Sequence, residues 1–336
     1  MKLCLSAAIA ALLLAGCSNN AYQTAAIDHY VAGQMAAERQ DYQAALAELA
    51  KALQQDPKFA LAHAAVGDIY RKQGNLEQAV GAYEKSCDLN PYSFKPHYNL
   101  GVTYQMLSSA AKTAQAAADY LQKAVNTYLR ATTLNDGDFD AKLNLAACYY
   151  QQGKYDLALQ ICEAAIKLSP DSPFGYSNLG IIYDAQNQPY KAIQAYKASL
   201  ERDTHQPKLI LNMGSTYMRL KRYNEAMLEF RLAAQEEPTS AAPHEQMGTC
   251  LFYQQKYDEA LGAFDKSLEL DPKSSAAHRG IGVIYMTQFL MDNTRTDLRE
   301  KALGEWTRSL ELEPNQPDLV RLIEKYSPRI PPPPPL

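Results

Sequence analysis

Small and apolar residues return along this chain with a period longer than that of any single helix or strand. From Ala26 a unit of 34 residues recurs, and its eighth position reads Gly33, Gly67, Gly101, Ala146, Gly180, Gly214, Gly248 and Gly282. Three residues later an aromatic follows as Tyr70, Tyr104, Tyr149, Tyr183, Tyr217 and Tyr285, with Ala36 in the first unit and Leu251 in the seventh. The second half of each unit carries an alanine: Ala45, Ala79, Ala124, Ala158, Ala192, Ala226, Ala260 and Ala302. Proline closes most units, at Pro57, Pro91, Pro170, Pro238, Pro272 and Pro314, with Asp136 and Thr204 in its place in the third and fifth. A helix advances about 100° per residue, so positions 4, 7, 8 and 11 share one face and positions 2, 6, 9 and 13 lie nearly opposite. Proline cannot continue the hydrogen-bond ladder and ends the second helix. The pattern predicts two antiparallel helices per unit that approach closely where Gly and Ala stand, with aromatics filling the space beside the crossing.

The units start at residues 26, 60, 94, 139, 173, 207, 241 and 275 and run to 316, with 11 extra residues in the third and 8 in the eighth. The first insertion, Gln105 to Lys123, is rich in Ala and Gln and lengthens both helices; the other, Thr287 to Lys301, is more polar. Residues 317–326 read as one more helix, with Leu319, Leu322 and Ile323 on one side, as expected of a solenoid cap. Residues 327–336 hold six prolines, five consecutive from Pro331, and predict an extended polyproline II segment. That segment reads either as a stiff end or as a ligand for an aromatic-lined groove.

This 34-residue register resembles the tetratricopeptide (TPR) repeat. The resemblance implies an all-α fold, a right-handed superhelical solenoid of eight helix-turn-helix repeats with a C-terminal capping helix, whose first helices line a concave groove.

Ahead of the repeats, Met1-Lys2 precedes an apolar stretch from Leu3 to Gly16, too short for a bilayer span of about 20 residues. It reads as a signal peptide over residues 1–16. Its end, Leu14-Ala15-Gly16-Cys17, resembles the lipobox of bacterial lipoproteins, which implies that Cys17 is lipidated and becomes the first mature residue. Residues 17–25 then form a short tether, and Ser18 to Ala25 reach at most about 30 Å when extended. In enterobacterial-type lipoproteins an Asp after the lipidated Cys favours inner-membrane retention. Ser18 therefore points to an outer-membrane anchor, with the protein facing the periplasm.

Composition narrows the chemistry. The formal charge is −4, and loss of Lys2 with the leader makes it −5; no basic block or Arg-rich helix occurs, which argues against nucleic acid as a partner. Gly153-Lys154 precedes Tyr155 and lacks the upstream glycine of a phosphate loop, and no C-x-x-C, H-E-x-x-H or G-x-S-x-G occurs. Asp136, Asp138 and Asp140 imitate the start of a calcium loop, but Ala141 and Ala147 stand where its Gly and bidentate Glu belong. They read as helix-capping acids. His29, His63, His97, His244 and His278 share position 4 of their repeats, too far apart for one metal ion, and read as packing and hydrogen-bonding groups. Cys148 and Cys162 lie on the two helices of the fourth repeat; an oxidising compartment permits a bond between them, and buried thiols are the other reading. No catalytic, metal or cofactor site is expected.

The face opposite the core is the candidate surface. Position 6 reads Asn99, Asn144, Asn178 and Asn212 in successive repeats, then Gln246. A primary amide both donates and accepts, so a column of amides can pair with a peptide backbone whatever its side chains. It resembles the asparagine ladder of the repeat domain in O-GlcNAc transferases; Asn is also a common choice before the Leu-Gly of bacterial repeats. Lys95, Tyr98, Phe174 and Lys208 flank it, a mixture of aromatic and charged groups that suits a protein ligand. At position 5 Arg279 is the sole cation, so a multi-cation clamp for a chain-terminal carboxylate is not supported.

The expected function is a lipid-anchored, non-enzymatic scaffold that takes an extended segment of an envelope protein into its groove. The chain also resembles type IV pilus pilotins, which help a secretin assemble, and lipidated repeat adaptors of envelope proteases and peptidoglycan hydrolases. A recognition arm for an envelope enzyme is a third reading, disfavoured because the solenoid leaves no residues for a catalytic domain.

Overall fold

The computed structural model describes residues 21–327, and within them the chain forms 17 α-helices and no strand. The leader, Cys17, Ser18 and the prolines from Pro328 onward lie outside the described residues. The chain divides into two compact units, one up to Leu168 and one from Ser169.

The first unit holds α1 (Ala21–Glu38), α2 (Tyr42–Gln55), α3 (Ala60–Lys72), α4 (Leu76–Leu89), α5 (Phe94–Ala110), α6 (Ala114–Leu134), α7 (Phe139–Gln151) and α8 (Tyr155–Leu168). Helix α1 opens at Ala21, so the last five residues of the tether read from the sequence are already helical; Ala and Gln there favour extending the helix backwards. The second unit holds α9 (Pro173–Ala185), α10 (Pro189–Leu200), α11 (Pro207–Arg219), α12 (Tyr223–Glu236), α13 (Ala242–Tyr253), α14 (Tyr257–Leu270), α15 (Ser275–Met291), α16 (Thr296–Leu312) and α17 (Pro317–Tyr326). Within each unit every first helix packs on its own second helix, and each second helix packs on the next first helix. Successive first helices also touch, as in α3 with α5 and α13 with α15.

The eighth-position glycines are dictated by a ring at position 24 of the same repeat. A Cβ added to Gly67, Gly101, Gly180, Gly214, Gly248 or Gly282 would lie 2.4 to 2.9 Å from the ring of Tyr83, Tyr128, Tyr196, Phe230, Phe264 or Trp306. Gly33 meets Leu49 at 2.8 Å. The fourth repeat has Ala146 at position 8 and Cys162 at position 24, both fully buried, so the larger residue on one helix is matched by a smaller one on the other. Gly180→Ala should therefore cost about 1–2 kcal/mol, because overpacking costs about 1–3 kcal/mol and outweighs the gain in helix propensity of up to about 1 kcal/mol. Adding Tyr196→Cys, which copies the Ala146 and Cys162 pair, should recover part of the loss in a double-mutant cycle by urea denaturation. Strictly additive losses would contradict the pairing.

Position 27 is the second point of close approach. It is Ala or Ser throughout, and the serines are buried. Three of them donate to the carbonyl at position 1 of their own repeat: Ser86 Oγ to Ala60 at 2.8 Å, Ser199 Oγ to Pro173 at 2.9 Å and Ser309 Oγ to Ser275 at 2.9 Å. The hydroxyl thus satisfies a carbonyl at a helix crossing while remaining small.

In the six repeats without an insertion the turn between the two helices holds a left-handed residue at position 15. Gly74 and Gly153 supply it without strain at φ 78° and 72°, and Gln40, Asn187, Lys221 and Gln255 adopt it at 57° to 64°. In the third repeat the extra residues lengthen α5 and α6 to 17 and 21 residues, and in the eighth α15 and α16 both reach 17. Helix α17 packs on α16, burying Leu319 with Met286, Ala302 and Trp306.

Cys87, Cys148, Cys162 and Cys250 are buried. Burial pushes the thiols of Cys87, Cys148 and Cys162 up to about 12, so they stay protonated at neutral pH. Among the described residues no helix is long and apolar enough to cross a membrane.

Candidate binding surface

In the first unit the position-6 amides are already engaged. Asn99 is only 4% exposed and donates from Nδ2 to Asp68 Oδ1 at 2.8 Å, bridging one repeat to the previous one. The same carboxylate oxygen accepts from Tyr83 Oη at 2.5 Å, and Arg71 Nε donates to Tyr83 Oη at 3.3 Å. Asn144 Nδ2 donates to Tyr98 Oη at 3.3 Å. Tyr98 stacks on Phe94 at 5.8 Å between centroids, and Lys95 Nζ sits 5.6 Å from the Tyr98 centroid. Burial, then the nearby Asp140 carboxylate, raise the Tyr98 pKa, so the phenol stays a neutral donor. The structure thus gathers Lys95, Tyr98 and Asn144 at one place and turns Asn99 inward.

In the second unit the amides are uncommitted. Asn212 is exposed, Asn178 and Gln246 are half-buried, and among the described residues none of these three side chains makes a hydrogen bond. Asn212 and Lys208 line a cleft of about 350 Å³ with Ser177, Ile181 and Glu237. Phe174 is exposed and lies outside that cleft. Gln246 lines a second cleft of about 300 Å³ between α13 and α15. At position 6 of the eighth repeat Gly280 ends the amide series, because a Cβ there would lie 2.4 Å from the Phe264 ring.

Four of the five position-4 histidines bind locally. His29 Nδ1 and His278 Nδ1 each lie 2.7 Å from a glutamate of their own repeat, Glu48 and Glu305. His63 and His97 hydrogen-bond through Nε2 to the carbonyls of Pro57 and Pro91 in the preceding turns. Burial lowers the pKa of His97 and of His244. Of the three aspartates, Asp138 caps α7 by accepting from Ala141 N at 2.8 Å, and Asp136 pairs with Lys142. No group of three or more His, Cys, Asp or Glu among the described residues is placed to hold a metal ion.

The insertion in the third repeat makes another surface. Ser108, Ser109, Ala114, Ala117, Ala118, Gln122, Gln151 and Gln152 line a cleft of about 740 Å³ where α5 and α6 overhang the turn of the fourth repeat. Sequence reasoning missed the Asp68 hub and the cleft around Gln246. The second was signalled by Gly280, at position 6 where every other repeat carries a larger residue, and by Ala276 at position 2, where all other repeats but the seventh are larger.

Family models described as TPR or tetratricopeptide repeats match residues 67–108, 138–205, 207–240 and 241–274. An uncharacterized protein of Haemophilus influenzae is 31% identical over 121 residues, which is 36% of this chain and 63% of that relative. The chain thus spans under two thirds of that relative's length. Among solved structures, a tetratricopeptide repeat protein from Parabacteroides merdae is 17% identical with a TM-score of 0.62, over 80% of this chain and 98% of that one. Pseudomonas aeruginosa pilF is 22% identical with a TM-score of 0.52, over 65% of this chain and 94% of that one. At these identities the likeness shows the fold.

Proposed function

We propose that this chain, a protein built of tetratricopeptide repeats, is a non-enzymatic scaffold that is anchored to the outer membrane through Cys17 and holds an extended segment of an envelope protein. The observation that carries the reading is the set of uncommitted amides, Asn178, Asn212 and Gln246, at one repeat position, of which Asn212 and Gln246 line open clefts. A side-chain amide without a partner in the free protein can donate to one peptide group and accept from the next at no cost in broken contacts. Asn99 and Asn144, spent on Asp68 and Tyr98, are positioning groups in the same reading.

Replacing Asn178, Asn212 and Gln246 together by Ala tests it. Each exposed hydrogen bond contributes about 0.5–1.5 kcal/mol, so capture of the bound protein should weaken by about ten-fold to about two-thousand-fold if the losses add. Helicity by circular dichroism should not fall, since Ala favours helix over Asn and Gln. Unchanged capture by the triple variant would move the binding surface to the insertion edge. The resemblance to pilotins supplies a narrower form of the same reading, in which the bound segment belongs to a secretin. Deleting the gene and scoring secretin multimers distinguishes the two.

A further inference from the structure

The cleft between α13 and α15 carries a guanidinium that pairs with no carboxylate among the described residues. Arg279 lines it, is exposed, and makes no ion pair among the described residues. Its backbone is fixed, because Trp306 Nε1 donates to the Arg279 carbonyl at 3.3 Å. The acid in the same cleft, Glu245, is spent elsewhere: its Oε1 accepts from Ser274 Oγ at 2.5 Å and weakly from Ser267 Oγ at 3.4 Å. Ser274 is itself held as the cap of α15, with Ala277 N donating to it at 3.0 Å.

The rest of the lining is apolar and aromatic. Phe252 and the well-exposed Tyr253 form one wall, with ring centroids 5.7 Å apart, and Tyr253 stacks on Tyr223 at 6.0 Å, which fixes its plane. Val283 lies opposite and the Phe264 ring beneath, in space opened by Ala276 and Gly280. Gln246 also lines the cleft, with its amide unused.

Resting on the reading that first-helix faces take an extended segment, we propose that this cleft receives a protein segment with an acidic side chain next to an apolar one. The carboxylate pairs with the Arg279 guanidinium, the apolar side chain enters between Phe252, Tyr253 and Val283, and Gln246 takes the backbone between them. An exposed guanidinium draws its ion-pairing energy from a partner that dehydrates it against an aromatic wall. A carboxylate can also come from a chain end. With a single cation and the Glu245 carboxylate nearby, an internal acid flanked by peptide groups fits better than a terminus.

An array of C-terminally amidated decapeptides tests this, with a central Phe fixed and its neighbours varied over all residues, probed with the detergent-solubilised full-length protein and its Arg279→Gln variant. The wild type should bind most strongly where Asp or Glu adjoins the Phe. The variant should lose about five- to ten-fold on those peptides, keep its binding to uncharged ones, and show an unchanged circular dichroism spectrum. Equal binding of acidic peptides by both proteins, or no acidic preference in the wild type, would overturn the proposal. So would binding confined to a parallel array of free-acid peptides, which would make the site one for a chain end. Acidic preference that survives the triple amide variant at full strength would sink the amide reading, the backbone contact of Gln246 included, and leave the pairing with Arg279 standing. An array blank for the wild type would remove both.

Discussion

Replacing Cys17 by Ser should release the protein from membranes altogether and abolish its labelling by fatty acid. The residues before it, Leu14-Ala15-Gly16, follow a basic start and an apolar run too short to span a bilayer, and among the described residues no helix is long and apolar enough to cross a membrane. Membrane hold by acyl chains is steep: one chain binds marginally and two or more bind stably, so loss of the modified residue is close to all or none. Cell fractionation with the wild type in parallel measures it. A Cys17→Ser protein that still sediments with membranes in full would refute the anchor.

The second large effect falls on the core. Trp306 is 1% exposed, its ring occupies the space that Gly282 leaves, and it packs with Leu319 and lies 6.5 Å from the Tyr326 ring on α17. Trp306→Ala should cost about 3–5 kcal/mol, since no neighbour can fill a cavity of that size. In a repeat array the loss is local. Hydrogen exchange should therefore speed up by two orders of magnitude or more in α15 to α17, while α1 to α8 keep their protection. Unchanged exchange in α17 would show that this helix does not depend on the tryptophan.

Much of this architecture was legible in the sequence because one period carries it. The glycines at position 8 and the alanines at position 20 are visible without knowing what they touch. What they touch was not legible. Gly180 reads as a place where backbones meet, yet the group lying on it is the Tyr196 ring sixteen residues later on the partner helix. The exchange of Ala146 and Cys162 for glycine and a ring becomes intelligible only once the two positions are known to face each other. The buried serines at position 27 were missed for the same reason: their partner is a main-chain carbonyl, which leaves no mark on the sequence.

The amide column divided along similar lines. A helical period places position 6 on the face away from the core, and for Asn212 that face is open. For Asn99 the neighbouring repeat decides the matter, since Asp68 presents a carboxylate within hydrogen-bond reach and draws the amide into the seam between the two first helices. The period of one helix fixes the direction of a side chain but not what the adjacent helix offers it. The Arg279 cleft lies at the same limit. Arg279 stood out as a lone cation, but Gly280 and Ala276 become an opening only when Phe264 is seen beneath them.

The most direct test of the scaffold reading is photo-crosslinking in intact cells from single positions of the full-length protein. A benzophenone amino acid placed at Lys208 or Asn212, on the first-helix face, should form a discrete adduct with a second envelope protein. The same group at Leu228, 63% exposed on a second helix, should form none. Adducts that arise from Leu228 or from Ser109 on the insertion edge, with none from Lys208 and Asn212, would contradict the account.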